Sequence, residues 1–251
     1  MFGKKWFTFV AFIMTISFLL AACQPATAPQ ATVPTTAPPA SNAPAAPAET
    51  TAPAAPTEPL KEYADTLTYG MASTFDRLDP NVTTFTVAAR ITMHIAETLL
   101  WEPELGTFEP NLATEWSVND DATEYTIKLR EGVNFSDGTP FNAAAVKFTF
   151  DRIVDPETKS QTAFSQIGPY TETEIVNDYE VKVKFSTPFA PFLDSLSTPT
   201  LAIVSPTAYE KAGAEDWGIK TLVGTGPYLL DSYIPDNEVV LVRNDNYWGG
   251  V

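Results

Sequence analysis

Cysteine and histidine are almost absent from this chain of 251 residues, which holds one of each, Cys23 and His94. A single thiol excludes an internal disulfide framework. One histidine, far along the chain from that thiol, cannot build a metal site with it. No Gly-x-Ser-x-Gly motif supplies a nucleophile for it either. His94 is therefore expected to pack or to face solvent. Gly224-Thr225-Gly226 is not a phosphate cradle: no Gly-Lys-Ser/Thr follows, and Pro227-Tyr228-Leu229-Leu230 reads as a strand, not a helix start. No metal or cofactor is expected. Basic charge is also scarce, with 15 Lys and Arg against 31 Asp and Glu and a net charge of −16. Such a surface keeps a chain soluble and argues against nucleic acid and anionic membrane surfaces as partners. The long apolar run, Trp6 to Leu20, falls short of the roughly 20 residues of a membrane-spanning helix.

That run has a different sense in context. Lys4 and Lys5 precede it, and Leu20-Ala21-Ala22-Cys23 closes it with small residues. This is the layout of an export signal over residues 1–22, followed by a lipid-acceptor cysteine. Cys23 is read as the residue that takes a diacylglyceryl group and becomes the mature N-terminus. A plain secretory signal or a free thiol is the competing reading. Loss of Lys4 and Lys5 leaves 13 basic against 31 acidic side chains, a net −18. Residues 23–59 then form a tether rich in Pro, Ala and Thr. Such a composition cannot bury enough apolar surface to offset its ordering entropy. At ~3.1 Å per residue in extended form it reaches at most about 110 Å.

About 190 residues follow, enough for one domain or two small ones. They are organised around Pro110 to Ile153. Tyr125, Ile127 and Leu129 alternate with Thr126, Lys128 and Arg130, which predicts a strand with one buried face. Leu112 to Val118 is its expected partner across a turn at Asn119-Asp120-Asp121. Glu131-Gly132 and Ser136 to Pro140 break the chain. A helix then starts with Asn142 as cap and Phe141 placed to staple onto Val146. Val146, Phe150 and Ile153 form its apolar stripe. Trp116, Tyr125, Phe135 and Phe150 are expected to be buried.

Elsewhere, Thr66 to Met71 reads as a short strand and Val87 to Leu100 as a helix. Thr173 to Val176 and Tyr179 to Phe185 form a hairpin about Asn177-Asp178. Thr187 to Leu193 is a turn entering a short helix, and Leu201 to Val204 a buried strand. Ser205 caps a helix with Pro206 at its first position and an end at Ala212-Gly213. Val239 to Arg243 closes as a strand.

Several of these segments together resemble the family 5 extracellular solute-binding proteins of ABC importers, the peptide- and nickel-binding class. The matching parts are Asp120-Asp121, Tyr125 to Arg130, Gly132-Val133-Asn134-Phe135, Asp137 to Pro140 and Phe150-Asp151-Arg152. Leu78-Asp79-Pro80, Gly224 to Tyr228 and Asn244 to Trp248 also match. Ala143-Ala144-Ala145 departs from the acidic first turn frequent in that family, a loss of roughly 0.5–1 kcal/mol.

The resemblance implies an α/β, periplasmic-binding-protein-like architecture (class II, three-lobed), truncated to the second lobe and part of the first. Residues 60–95 and 197–251 would belong to the first lobe and 96–196 to the second. The third lobe and the end of the first would lie beyond this chain, as in a truncated record. By itself such a chain is expected to bind peptides weakly or not at all, and to associate. The resemblance further implies a lipid-anchored, extracytoplasmic protein without enzymatic activity. It would capture an oligopeptide, dipeptide or other small solute for an ABC permease with its ATPase subunits, and be monomeric when full length. The loop before Leu78 would border the ligand cleft, with Ser73, Thr74 and Phe75 as cleft-side residues. Two alternatives stand beside it: a lipid-anchored hydrolase using Asp/Glu pairs, or a chaperone or chemosensory module on the same fold.

Overall fold

The sheet at the centre of the molecule has strands in the order β3–β4–β6–β5, all antiparallel. The structure is a computed structural model that describes residues 66–250; Cys23 and the tether lie outside the described residues. Along the chain come α1 (Thr86–Thr92), β1 (Leu100–Glu104), β2 (Thr107–Pro110), β3 (Ala113–Val118), β4 (Glu124–Leu129) and α2 (Ala143–Val154). They are followed by α3 (Thr162–Ile167), β5 (Tyr170–Asn177), β6 (Glu180–Phe185), α4 (Phe192–Ser197), α5 (Pro206–Asp216), β7 (Tyr228–Ile234) and β8 (Glu238–Arg243). Strands β1 and β2 form one hairpin, and β7 and β8 another.

Alternation decides the two faces of the central sheet. Tyr125, Ile127 and Leu129 of β4 and Val181, Val183 and Phe185 of β6 are buried, as are Val146, Phe150 and Ile153 of α2. They belong to one apolar cluster, which runs from Leu99 to Ile203. The opposite face carries ion pairs between neighbouring strands: Lys128–Glu115 at 2.7 Å, Lys182–Glu124 at 3.2 Å and Lys184–Glu172 at 2.8 Å. These pairs are partly or fully open to solvent and add little stability. Helix α2 begins where expected, because the Asn142 side chain accepts hydrogen bonds from the Ala144 and Ala145 N–H groups. Trp116 is only half-buried, since β3 is the edge strand and its ring packs on the border of the cluster.

A second cluster gathers Phe75, Leu78, Ala88, Ile91, Ile95, Ala202, Val204, Ala208, Trp217 and Leu222. Leu230, Tyr233, Val239 and Leu241 of the β7–β8 hairpin pack partly against it. Ser205 caps α5 by accepting from the Ala208 N–H, with Pro206 at the first helical position. Gly213 interrupts that helix at φ +74°.

Three expectations need correction. Thr66–Met71 is not a strand: it has no hydrogen-bonded neighbour among the described residues, and Leu67 is 92 % exposed. Leu201–Val204 is buried, but it leaves a 3-10 turn as extended chain outside any sheet, held by the Ile203 N–H donating to the Glu97 carbonyl at 2.9 Å. The helix expected to reach Leu100 stops at Thr92. Its would-be acceptors are diverted: the His94 carbonyl accepts from the Tyr228 N–H at 3.0 Å, and the Ile95 carbonyl from the Gly226 N–H at 2.9 Å.

This backbone approach explains Gly224-Thr225-Gly226-Pro227. A Cβ on Gly224 would lie 2.3 Å from the Ile95 oxygen, and one on Gly226 would lie 2.6 Å from the His94 oxygen. The glycines serve close packing of two chain segments. Gly226→Ala should therefore cost about 3 kcal/mol through forced backbone shifts. Gly132→Ala, with open space around its Cβ but φ +75°, should cost about 1–2 kcal/mol. Urea unfolding of the two variants side by side checks the ranking, and a smaller loss at Gly226 contradicts it.

Candidate solute-binding face

Leu78-Asp79-Pro80 opens a tight turn in which the Asp79 carbonyl accepts from the Val82 and Thr83 N–H groups at 3.2 and 2.9 Å. The Leu78 N–H donates to the Gly218 carbonyl at 2.6 Å. Ahead of this turn runs the loop singled out as cleft-side. Ser73 is exposed. Thr74 is also exposed, and its hydroxyl donates to the Asp236 carboxylate at the tip of the β7–β8 hairpin. Phe75 is buried: its ring stacks on Tyr233 at 5.2 Å, and its carbonyl accepts from the Tyr233 hydroxyl at 2.8 Å. The three residues are thus neighbours on one loop. Ser73 offers an exposed hydroxyl, while Phe75 anchors the loop to the hairpin.

Glu97 is a second organising point. It lies in an apolar run, Ile95-Ala96-Glu97-Thr98-Leu99, and is buried. Its carboxylate accepts from the Thr225 hydroxyl at 2.7 Å, the Tyr247 hydroxyl at 2.8 Å and the Trp248 indole N–H at 2.7 Å. Arg130 covers the Trp248 ring at 4.8 Å. Burial pushes the Glu97 carboxyl above its ordinary range, against the pull of its three donors and of Arg130. A cavity of about 380 Å³ opens beside it, lined among others by Met93, Trp101, Asn111, Ser197 and Tyr247.

Asp137, of the Asp-Gly-Thr-Pro segment, joins the two clusters at another point. Its carboxylate accepts from the Ser205 hydroxyl at 2.6 Å, the Thr139 hydroxyl at 2.6 Å and the Thr139 N–H at 2.9 Å. Burial alone would raise its pKa; these donors outweigh it and hold the carboxyl below its ordinary range. Lys211, Thr207 and Thr221 share with it a second cavity of about 410 Å³. His94 is exposed, edge-on to Tyr228 at 5.9 Å. Among the described residues no three His, Cys, Asp or Glu side chains converge on a metal position.

The sequence model of the bacterial extracellular solute-binding proteins, family 5 (middle part), matches residues 107–251. The chain belongs to this family. It is 35 % identical over 187 residues to the glutathione-binding protein GsiB of Escherichia coli strain K12, covering 74 % of this chain and 36 % of that protein. Among solved structures, the nickel ABC transporter protein from Bacillus halodurans superposes with a TM-score of 0.60 at 33 % identity, over 71 % of this chain and 35 % of the other. The Escherichia coli murein tripeptide binding protein MppA reaches 0.64 at 23 % identity, over 71 % and 38 %, a likeness of fold alone. This family 5 chain spans about a third of the length of the curated relatives it matches. Its fold is the periplasmic-binding-protein fold of the family, covered in part.

Two of the resembling segments meet at Glu97, which receives the Gly-Thr-Gly-Pro threonine and the Asn-x-x-Tyr-Trp aromatics, and the Asp-Gly-Thr-Pro aspartate receives the Ser205 cap. Sequence reasoning assigned none of these contacts. A glutamate inside an apolar run was the available sign at Glu97.

The Glu97 network has a pH signature. A carboxyl whose folded pKa is raised contributes stability that is fully present below its ordinary value, near 4.5. That contribution is lost as pH rises through the folded value. Glu97→Gln should remove this loss, so the variant should gain on the parent as pH climbs from 4.5. Glu97→Leu orphans three donors and should cost about 3–5 kcal/mol. Urea unfolding of all three proteins across that range checks both effects, and parallel pH profiles for parent and Gln variant contradict the first.

Proposed function

We propose that this chain is part of the solute-binding lipoprotein of an ABC importer and that its solute is a short peptide. Two things support the reading: the family match over residues 107–251 for the importer, and the 35 % identity to a glutathione-binding protein for the short peptide. The first of these carries the argument. Binding with closure of lobes around the solute is the mechanism, with no bond chemistry. Residues 60–95 and 197–251 make the first lobe and 96–196 the second. Ser73 and Thr74 present polar groups to the solute, with Phe75 fixing the loop that carries them. The export signal, Cys23 and the tether place the protein outside the cytoplasmic membrane on a lipid anchor. The permease and its ATPase subunits are its partners. One acyl chain gives only marginal membrane retention, so anchoring rests on the multiple chains of a bacterial lipoprotein cysteine.

Two measurements test this. Metabolic labelling with a fatty acid should mark the parent and not Cys23→Ser; a labelled variant excludes Cys23 as the acceptor. Amide NMR of residues 24–251 titrated separately with glutathione, a defined tripeptide and nickel should show shifts at Ser73 and Thr74 with a peptide. Affinity should be weak, of the order of millimolar, or about −4 kcal/mol. Shifts there with nickel alone would favour a metal solute, as the nickel relative suggests. Shifts with a peptide elsewhere in the chain, and none at these two residues, overturn their assignment.

A further inference from the structure

The turn at the end of the solute-facing loop is tied to the far cluster by a buried ion pair. Arg152, in the last turn of α2, donates from Nη2 to Asp79 Oδ2 and from Nη1 to Asp79 Oδ1 at 3.2 Å. Nη1 also donates to Asn81 Oδ1 at 2.9 Å. The guanidinium lies over the Tyr209 ring at 4.4 Å. Asp79 and Arg152 are 1 % and 7 % exposed. Asn81 donates onward to the Thr200 and Ala202 carbonyls at 2.9 and 3.3 Å, and its own carbonyl accepts from the Ser160 hydroxyl at 2.6 Å. On the other side there is no room: a Cβ on Gly218 would lie 2.5 Å from the Asp79 nitrogen.

We propose that Asp79 and Arg152 are positioning residues for the solute-facing loop, fixing against α2 the turn Leu78–Thr83 in which that loop ends, rather than adding to the stability of the fold. A buried ion pair loses about as much in desolvation as it gains in attraction, so a well-packed neutral replacement is often as stable. What the pair supplies is direction. A bidentate guanidinium–carboxylate contact is planar and tolerates little rotation. Here the same guanidinium also holds Asn81 and stacks on Tyr209. A neutral pair would fill the space and leave the turn free to slide. Among the described residues the Arg152 Nε is buried without a partner, so the hydrogen bonds of this side chain all run through the two Nη atoms. Lysine has no such fork.

The proposal rests on the reading of Ser73–Phe75 as solute-facing, but its test does not require a solute. Hydrogen exchange of the parent is compared with Asp79→Asn/Arg152→Met, which removes both charges at similar volume, and with Arg152→Lys. The amides of Leu78, Val82 and Thr83, which donate to the Gly218 and Asp79 carbonyls, should exchange roughly tenfold faster or more in the double variant. Those of β4 and β6 should be unchanged. Arg152→Lys should fall between parent and double variant. A double variant that does not fold, three amides that keep their parental rates, or a parallel rise in β4 and β6 overturns the positioning role. In each of those cases the solute-binding reading stands untouched.

Discussion

A carboxylate can stay in a protein interior only where donors meet its oxygens. Glu97 has three, and they come from parts of the chain far apart in sequence: Thr225, Tyr247 and Trp248. Much of the molecule follows from that requirement. The chain can pass from the second cluster into the first at Ile95–Leu99 only if the returning segment lies alongside. It can lie alongside only because Gly224 and Gly226 carry no Cβ. The diverted carbonyls of His94 and Ile95 then end α1 and start the passage towards β1.

The two apolar clusters are each held by burial, which is strong but has no direction. Polar contacts between them give the missing geometry. Asp137 fastens the turn before α2 to the cap of α5, Asp79 and Asn81 hold Arg152 at the other end of α2, and Glu97 binds Thr225, Tyr247 and Trp248 on either side of the β7–β8 hairpin. Helix α2 is thus gripped at both ends by the second cluster while its apolar stripe packs in the first. The exposed ion pairs on the outer face of the sheet make no comparable contribution. Their partners are adjacent strands already in register.

Where structure depends on neighbours in sequence, the sequence was legible. Alternation marked β4 and β6, Asn142 marked the start of α2, and Ser205-Pro206 that of α5. The family was legible for the same reason, since its turns and caps are local chemistry. What stayed hidden was contact at a distance. The apolar stripe from Val87 to Leu99 is real as burial, yet nothing local shows that Gly226 and Tyr228 will claim the carbonyls in its middle. Phe75 sits beside Ser73 and Thr74, and only the β7–β8 hairpin shows that its ring belongs to Tyr233. A strand pattern over Thr66–Met71 likewise says nothing about whether an edge is available to pair with it.

The central claim is that buried polar struts make one cooperative unit of two apolar clusters. Scanning calorimetry of residues 24–251 tests it most directly. The account predicts a single endotherm whose calorimetric enthalpy equals its van't Hoff enthalpy, the mark of all-or-none unfolding. Two resolved transitions, or a van't Hoff enthalpy well below the calorimetric one, would show that the clusters melt independently and would contradict it.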